Sequence, residues 1–255
     1  MIKTIIIKSF SSKIFQFFAK GIKNKMEEII PGLYARDGLI TMHNHDFINN
    51  TEFKKAYKRG IKANGYDYHW QWRVHVGLWA ATYAVKLKGD FVECGVSKGF
   101  LSSSIMEYLN WNSMNKKFYL LDTFKGIDET QLSKEEITLG RKEQNQKFYS
   151  ESYEDVKKNF AEFKNIILVK GSIPSTLNKV RAKKISYLSI DMNNAKPEIA
   201  AVEYFWPKLV KGGVILLDDY AYSGYFPQKK AFDRFAKKIG TQILSLPTGQ
   251  GLIIK

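Results

Sequence analysis

Residues 90–100, DFVECGVSKGF, carry the most structural information in the chain. A short apolar run ends in Glu93 and then breaks at Gly95 and Gly99. The pattern predicts a strand ending at Glu93, a turn through Gly95 and a helix starting near Gly99. Glycine lets the backbone turn sharply and approach a ligand closely. The first amides of the following helix lack intrahelical partners and point into the crevice at the strand's end, which suits a nucleotide-like ligand. The spacing is not the G-x-G-x-x-G of a dinucleotide site, because only Gly95 and Gly99 are present. Taken alone, the segment also fits a glycine-bearing turn of any α/β protein.

Outward from this segment, strands and helices alternate. KFYLLD (117–122), NIILVKG (165–171), KISYLSID (184–191) and GGVILLDD (212–219) read as four further strands. Helices are predicted over 99–110, 152–163, 197–209 and 227–239, and the lysine- and glutamate-rich stretch up to Ser150 reads as loop and helix. Before the first strand, Val74, Leu78, Ala81 and Val85 recur at helical spacing. The chain ends in TQILSLPTGQGLIIK (241–255), two strands around a Pro-Thr-Gly turn too short for anything but antiparallel pairing. The expected architecture is α/β: a mainly parallel seven-stranded sheet, covered on both faces, with a C-terminal antiparallel hairpin. Residues 1–87 read as an N-terminal helical or lid region and 88–255 as the ligand-binding domain.

Four of these strands end in acids, at Glu93, Asp122, Asp191 and the pair Asp218–Asp219. Ligands of a doubly wound sheet bind outside the carboxyl ends of its strands, so the carboxylates converge on one rim. Asp122 is placed to accept hydrogen bonds from both hydroxyls of a ribose, or to serve as a turn aspartate. Gly171 and Ser172 follow the third strand, at the same rim. Adjacent carboxylates such as Asp218 and Asp219 repel each other unless a cation lies between them, and an all-oxygen set with Asp191 suits Mg²⁺ or a similar hard divalent ion. The other reading has Asp219 capping a helix and Asp218 making a structural bond.

Composition bounds the rest. At 255 residues the chain can bury a full core. One cysteine, Cys94, makes no intrachain disulfide or thiolate metal cluster, and suits a reducing cytoplasm. No apolar run reaches the roughly 18 residues of a spanning helix. The net charge of +15 fits an anionic substrate or a lysine-rich proteome; no aromatic RNA-binding motif or zinc spacing accompanies it, and no nucleic-acid partner is expected. The first 25 residues mix Ile and Phe with Lys and have no acid. They form a basic amphipathic segment suited to packing on the domain or a second subunit, or to peripheral contact with the inner membrane face.

With these residues placed, VECGVSKG, LLDTFKGI, the strand ending in Asp191 and LVKGGVILLDDYAYSGY give the chain its likeness. It resembles class I S-adenosylmethionine-dependent methyltransferases and, among them, the macrocin O-methyltransferase family of metal-dependent sugar O-methyltransferases. The resemblance covers about residues 88–255 and implies a Rossmann-like fold, S-adenosylmethionine as cofactor, and methyl transfer to the hydroxyl of a sugar or nucleotide-sugar. It further implies Mg²⁺ (or another divalent cation), a homodimer, a cytoplasmic setting and a place in bacterial capsule or lipopolysaccharide synthesis. Carried over by position, Glu93, Gly95, Gly99, Asp122, Gly171 and Ser172 are cofactor contacts. Asp191, Asp218 and Asp219 are metal ligands, and Asp191 is also the candidate base. The chain departs from the family after Asp191, where DMNNAKPEI stands in place of a second acid and a tyrosine and leaves Asn193 or Asn194 as an alternative oxygen ligand.

His69, in the aromatic segment YDYHWQWRVH, is the rival base among His43, His45, His69 and His75. Arg73 is a candidate anion ligand, Tyr220, Tyr222 and Tyr225 a candidate sugar platform, and Gln250 a candidate cleft residue. Competing functions are a nucleic-acid methyltransferase, a non-catalytic membrane-surface scaffold and a dinucleotide oxidoreductase. The lack of an N/D-P-P-Y/F segment speaks against the first and the glycine spacing against the last; the scaffold reading predicts lipid binding through residues 1–25 and no turnover.

Overall fold

The computed structural model describes residue 30, residues 32–148 and residues 152–255. The basic amphipathic segment at 1–25 lies outside the described residues. The chain divides into two compact units, with the boundary after Asp46. In the first, β1 (Tyr34–Arg36) and β2 (Leu39–Thr41) form an antiparallel hairpin that was not anticipated from the sequence. Its turn is Asp37-Gly38, both at positive φ, as a two-residue hairpin loop requires.

The second unit holds the seven-stranded sheet, in the order β5-β4-β3-β6-β7-β9-β8. The strands are β3 (Asp90–Cys94), β4 (Phe118–Asp122), β5 (Ile166–Lys170), β6 (Ile185–Ile190), β7 (Leu209–Leu217), β8 (Leu244–Ser245) and β9 (Gly251–Ile254). Strands β3 to β7 pair in parallel, and β9 is antiparallel to both β7 and β8. The Rossmann-like sheet and its C-terminal hairpin are as expected. The strands are apolar without polar alternation because both faces are covered. Phe91, Phe118, Leu120, Tyr187 and Val214 enter one core, and Val92, Leu121, Leu188, Ile190 and Ile215 the other.

The first core lies under α1 (Thr51–Asn64), α2 (Gln71–Ala84) and α3 (Phe100–Tyr108). Two glycines bring these helices close. A Cβ on Gly60 would lie 2.4 Å from Ser104 Oγ, and one on Gly77 would lie 2.6 Å from a Leu101 methyl. Between β4 and β5 come α4 (Lys134–Thr138), α5 (Arg141–Phe148) and α6 (Tyr153–Phe160). The second core is covered by α7 (Ala195–Phe205) and α8 (Phe226–Ile239). Among the described residues, no helix is long and apolar enough to cross a membrane.

The strand order sets the position of the site. From β3 the chain moves outward to β4 and β5, then returns to lay β6 on the other side of β3. A crevice opens where the order reverses, outside the carboxyl ends of β3 and β6.

Candidate active site

The cleft at that switch point encloses about 1190 Å³ of atom-free space, open mouth included. Glu93, Gly95, Asp122, Gly171, Ser172, Asp191 and Asp218 all line it. Of the residues expected at the site, the structure also places Gly99 at the helix start beside the cleft, as the N-cap of α3. The two glycines have different reasons. A Cβ on Gly95, at φ 88°, would lie 1.6 Å from the Asp191 carbonyl oxygen, so no other residue lets β3 and β6 end side by side. A Cβ on Gly99, at φ 86°, would strike the Phe160 ring at 2.3 Å.

At one end of the cleft, Asp122 closes the turn. Its Oδ2 accepts from the backbone N–H of Val96 (2.7 Å) and Ser97 (2.9 Å), and its Oδ1 from that of Phe124 (2.7 Å). Desolvation raises its pKa, and these backbone donors oppose the rise. Both oxygens therefore already hold the loop, while a carboxylate keeps lone pairs for further donors. Gly171, at φ 135°, donates its N–H to the Asp122 carbonyl (2.9 Å). Ser172 Oγ donates to Asp128 Oδ2 (2.6 Å) and accepts from Gln131 Nε2 (2.7 Å). Hydrogen bonds from Ser172, Thr130 and Gln131 hold the Asp128 carboxyl well below the usual range. Asp128 and Gln131 also line the cleft and were missed in the sequence, where neither sits in a strand-end pattern. Glu93 is 4 % exposed, and its Oε2 has no partner. Burial, with the Asp218 and Asp122 charges adding, pushes its pKa up to about 8.

The other end gathers residues from distant parts of the chain. Arg73, on α2, is buried and donates from one guanidinium nitrogen to Asp218 Oδ2 (2.6 Å) and to the Asp218 carbonyl (2.9 Å), and from the other to the Thr248 carbonyl (3.2 Å). Its guanidinium carbon lies 4.9 Å from the Tyr222 ring and 5.4 Å from the Trp70 ring, within cation–π range of both. Gln250, fully buried in the β8–β9 turn, donates to Asp218 Oδ1 (3.0 Å). Trp70 stacks on Tyr68 at 4.0 Å, and both face the cleft. Asp191 follows β6, and its pKa is raised well above the ordinary value by desolvation first and then by the Asp218, Asp219 and Glu198 charges, with Arg73 opposing. Asn194, buried at 1 % exposure, presents an unpartnered Oδ1 and also lines the cleft.

Not every candidate reaches the cleft. His69 is exposed, at φ 60°, with Nδ1 3.3 Å from Asp67 Oδ2, and does not line it. His75 stacks on Phe47 at 4.0 Å. Tyr220 is buried, donates to Asp233 Oδ1 (2.5 Å) on α8 and does not line the cleft. Tyr222 lies against Arg73, and Tyr225 donates to Asn193 Oδ1 (2.7 Å).

The divalent ion expected at Asp191, Asp218 and Asp219 does not fit the residues as they are arranged. Both Asp218 oxygens are engaged, by Arg73 and Gln250. No group of three or more His, Cys, Asp or Glu among the described residues is disposed to hold a metal ion. A hard cation needs carboxylate oxygens free to converge on it. S-adenosylmethionine does fit, in a cleft with a glycine turn at the strand end and an unpartnered buried carboxylate oxygen on Glu93.

Comparison with known proteins agrees with this fold. No curated protein matches the chain at the sequence level. Among solved structures, the O-methyltransferase NovP superposes with a TM-score of 0.65 at 18 % identity, covering 78 % of this chain and 88 % of that one. Calicheamicin methyltransferase CalS11 superposes with a TM-score of 0.59 at 13 % identity, covering 95 % and 93 %. The apo structure of CalS11, described as a TDP-rhamnose 3'-O-methyltransferase, gives 0.55 at 13 % identity, covering 95 % of each chain. Residues 78–246, well over half of the sequence, match the macrocin O-methyltransferase (TylF) family, and the chain belongs to that family of S-adenosylmethionine-dependent methyltransferases.

Proposed function

We propose that the protein transfers a methyl group from S-adenosylmethionine to a sugar hydroxyl, with a nucleotide-linked sugar of a bacterial surface glycan as acceptor. One observation carries the reading. A single cleft joins the glycine turn and Asp122 at one end to Asp191, Arg73 and an aromatic wall at the other. The TDP-rhamnose specificity of CalS11 and the +15 net charge of this chain support an anionic sugar acceptor.

When bound, S-adenosylmethionine supplies a methyl group on a cationic sulfur that leaves as a neutral thioether. The chain's residues supply the rest. Asp122 and the Asp128–Ser172 pair offer acceptors to ribose hydroxyls and the purine edge. Glu93 offers its free oxygen to the cofactor's ammonium. Tyr68 and Trp70 give the sugar a flat apolar wall. Asp191, ionised, takes the hydroxyl proton as the sugar oxygen bonds to the methyl carbon, and its raised pKa makes it a stronger base than a surface aspartate. Arg73 holds a fixed positive charge beside Asp191 and Asp218 and keeps Asp191 ionisable. Alignment of oxygen, carbon and sulfur supplies the remainder. No step is assigned to a metal, because Asp218 is engaged by Arg73 and Gln250.

The test is transfer of labelled methyl groups to a panel of nucleotide-sugars, by wild type and Asp191→Asn. Turnover on one or more sugars, lost in Asp191→Asn while cofactor binding persists, is the expected result. Tight cofactor binding with no turnover on any sugar would overturn the acceptor class. Binding of NAD in place of S-adenosylmethionine would overturn the reaction.

A further inference from the structure

Asn193 is one of the two asparagines that follow Asp191, and it is the residue through which the β4–β5 insertion reaches Asp191. It is buried and held at φ 59°, a left-handed conformation that Asn accepts more readily than most residues. Its Nδ2 donates to Asp191 Oδ1 (3.3 Å). Its Oδ1 accepts from Gln144 Nε2 (3.2 Å), on α5, and from Tyr225 Oη (2.7 Å). Gln144 Nε2 also donates to Tyr225 Oη (2.9 Å), and Gln144 Oε1 accepts from Arg141 (3.0 Å). Arg141 is anchored in turn by its bond to the Gly224 carbonyl (2.8 Å) and by its guanidinium carbon 3.7 Å from the Tyr225 ring.

The chain of bonds has one possible direction. A guanidinium only donates, so the Gln144 oxygen must face Arg141 and the Gln144 nitrogen must face Asn193. With two donors aimed at it, the Asn193 end nearer Gln144 and Tyr225 must be oxygen, which leaves its nitrogen toward Asp191. At the far end an ionised carboxylate only accepts. An acid at position 193 could not complete the sequence, since a carboxylate has no proton to give Asp191.

We propose that Asn193 and Gln144 are positioning residues that fix Asp191 through one oxygen and leave the other for the acceptor's proton. The proposal rests on the reading of Asp191 as the base. It assigns α5 a part in the reaction, because without Gln144 the Asn193 amide is free to turn over and present oxygen to the carboxylate. Neither residue touches reacting atoms; both act through Asp191.

Isosteric variants separate this role from simple packing. Asn193→Asp keeps shape and tolerance of the left-handed backbone but removes the donor to Asp191. Gln144→Glu keeps the acceptor for Arg141 but removes the donor to Asn193. The expected result is a fall in kcat of about 100-fold for Asn193→Asp and about tenfold for Gln144→Glu, as for a misplaced general base. Acceptor KM and the S-adenosylmethionine Kd should stay within about threefold of wild type, the Kd also serving as the check on folding. The double variant should be no worse than Asn193→Asp alone, because residues acting as a unit are not additive. If both isosteric variants keep kcat within about threefold while Asp191→Asn is inactive, the relay is structural only and the proposal fails, with the base assignment intact. If Asp191→Asn itself turns over normally, the base assignment fails and the relay fails with it.

Discussion

The two ends of the cleft satisfy their carboxylates in different ways. At the end proposed to hold the cofactor, Asp122 binds backbone amides of the two turns beside it, those of Val96, Ser97 and Phe124. At the end proposed to hold the acceptor, Asp218 is held by Arg73, 145 residues away in sequence, and by Gln250, while Asp191 is held by Asn193. Backbone amides come with the fold and depend little on which side chains surround them. Side-chain partners depend on each residue separately. The partners of Asp122 can therefore survive changes in the side chains around it, whereas those of Asp218 and Asp191 cannot. The crowding differs as well. Burial raises both Asp122 and Asp191, but backbone donors counter the rise at Asp122, whereas neighbouring carboxylates add to it at Asp191.

Substitutions test this contrast, and catalysis should suffer most. Asp191→Asn should lower kcat by about 10²- to 10⁴-fold, the usual worth of a general base, and leave cofactor affinity unchanged. Calorimetry showing weakened S-adenosylmethionine binding instead would place Asp191 in the cofactor half and dissolve the division. Arg73→Gln leaves the buried Asp218 carboxylate without its cation and should destabilise the protein by about 3–5 kcal/mol in denaturant titrations. The same variant frees an oxygen of Asp218, so Mn²⁺ should bind it more tightly than it binds wild type, as followed by paramagnetic relaxation. Equal affinity in the two would show that Arg73 does not compete for that carboxylate.

Asp122→Ala should cost less, about 2–3 kcal/mol, because its three backbone donors lie near the cleft and can partly turn to water. Its main effect should fall on cofactor binding, with kcat at saturating cofactor nearly retained. A variant that binds the cofactor normally would reduce Asp122 to a turn residue. The smallest effect concerns Glu93. Its folded pKa, about 8, lies above the ordinary carboxylate value, so its contribution to stability is present below about pH 4.5 and is lost as pH rises through 8. Unliganded protein should lose stability across that window, and Glu93→Gln should flatten the slope. Pairing with a cationic ammonium needs the ionised form, so S-adenosylmethionine affinity should strengthen with pH up to about 8, by at most about tenfold per unit. A pH-independent affinity would remove Glu93 from the cofactor contacts.

The seven strands, their mainly parallel pairing and the final hairpin are legible in the amino-acid sequence alone, as are the acids at the strand ends, Glu93, Asp122, Asp191 and Asp218. These features are written in short windows: apolar runs of strand length, glycines at sharp turns and acids at run ends. The Asp37-Gly38 turn of the first hairpin is an equally local signal, inside a region that otherwise reads as helical or lid. Which groups meet those acids depends on packing between distant segments. That packing puts Arg73 and Gln250 on Asp218, keeps His69 out of the cleft, turns Tyr225 onto Asn193, and brings Arg141 and Gln144 from the β4–β5 insertion toward Asp191. Partners tens to more than a hundred residues apart leave no periodicity in one chain. Their meeting depends on helix packing and loop closure, through which a single arginine can take up the carboxylate that the strand pattern alone assigns to a metal.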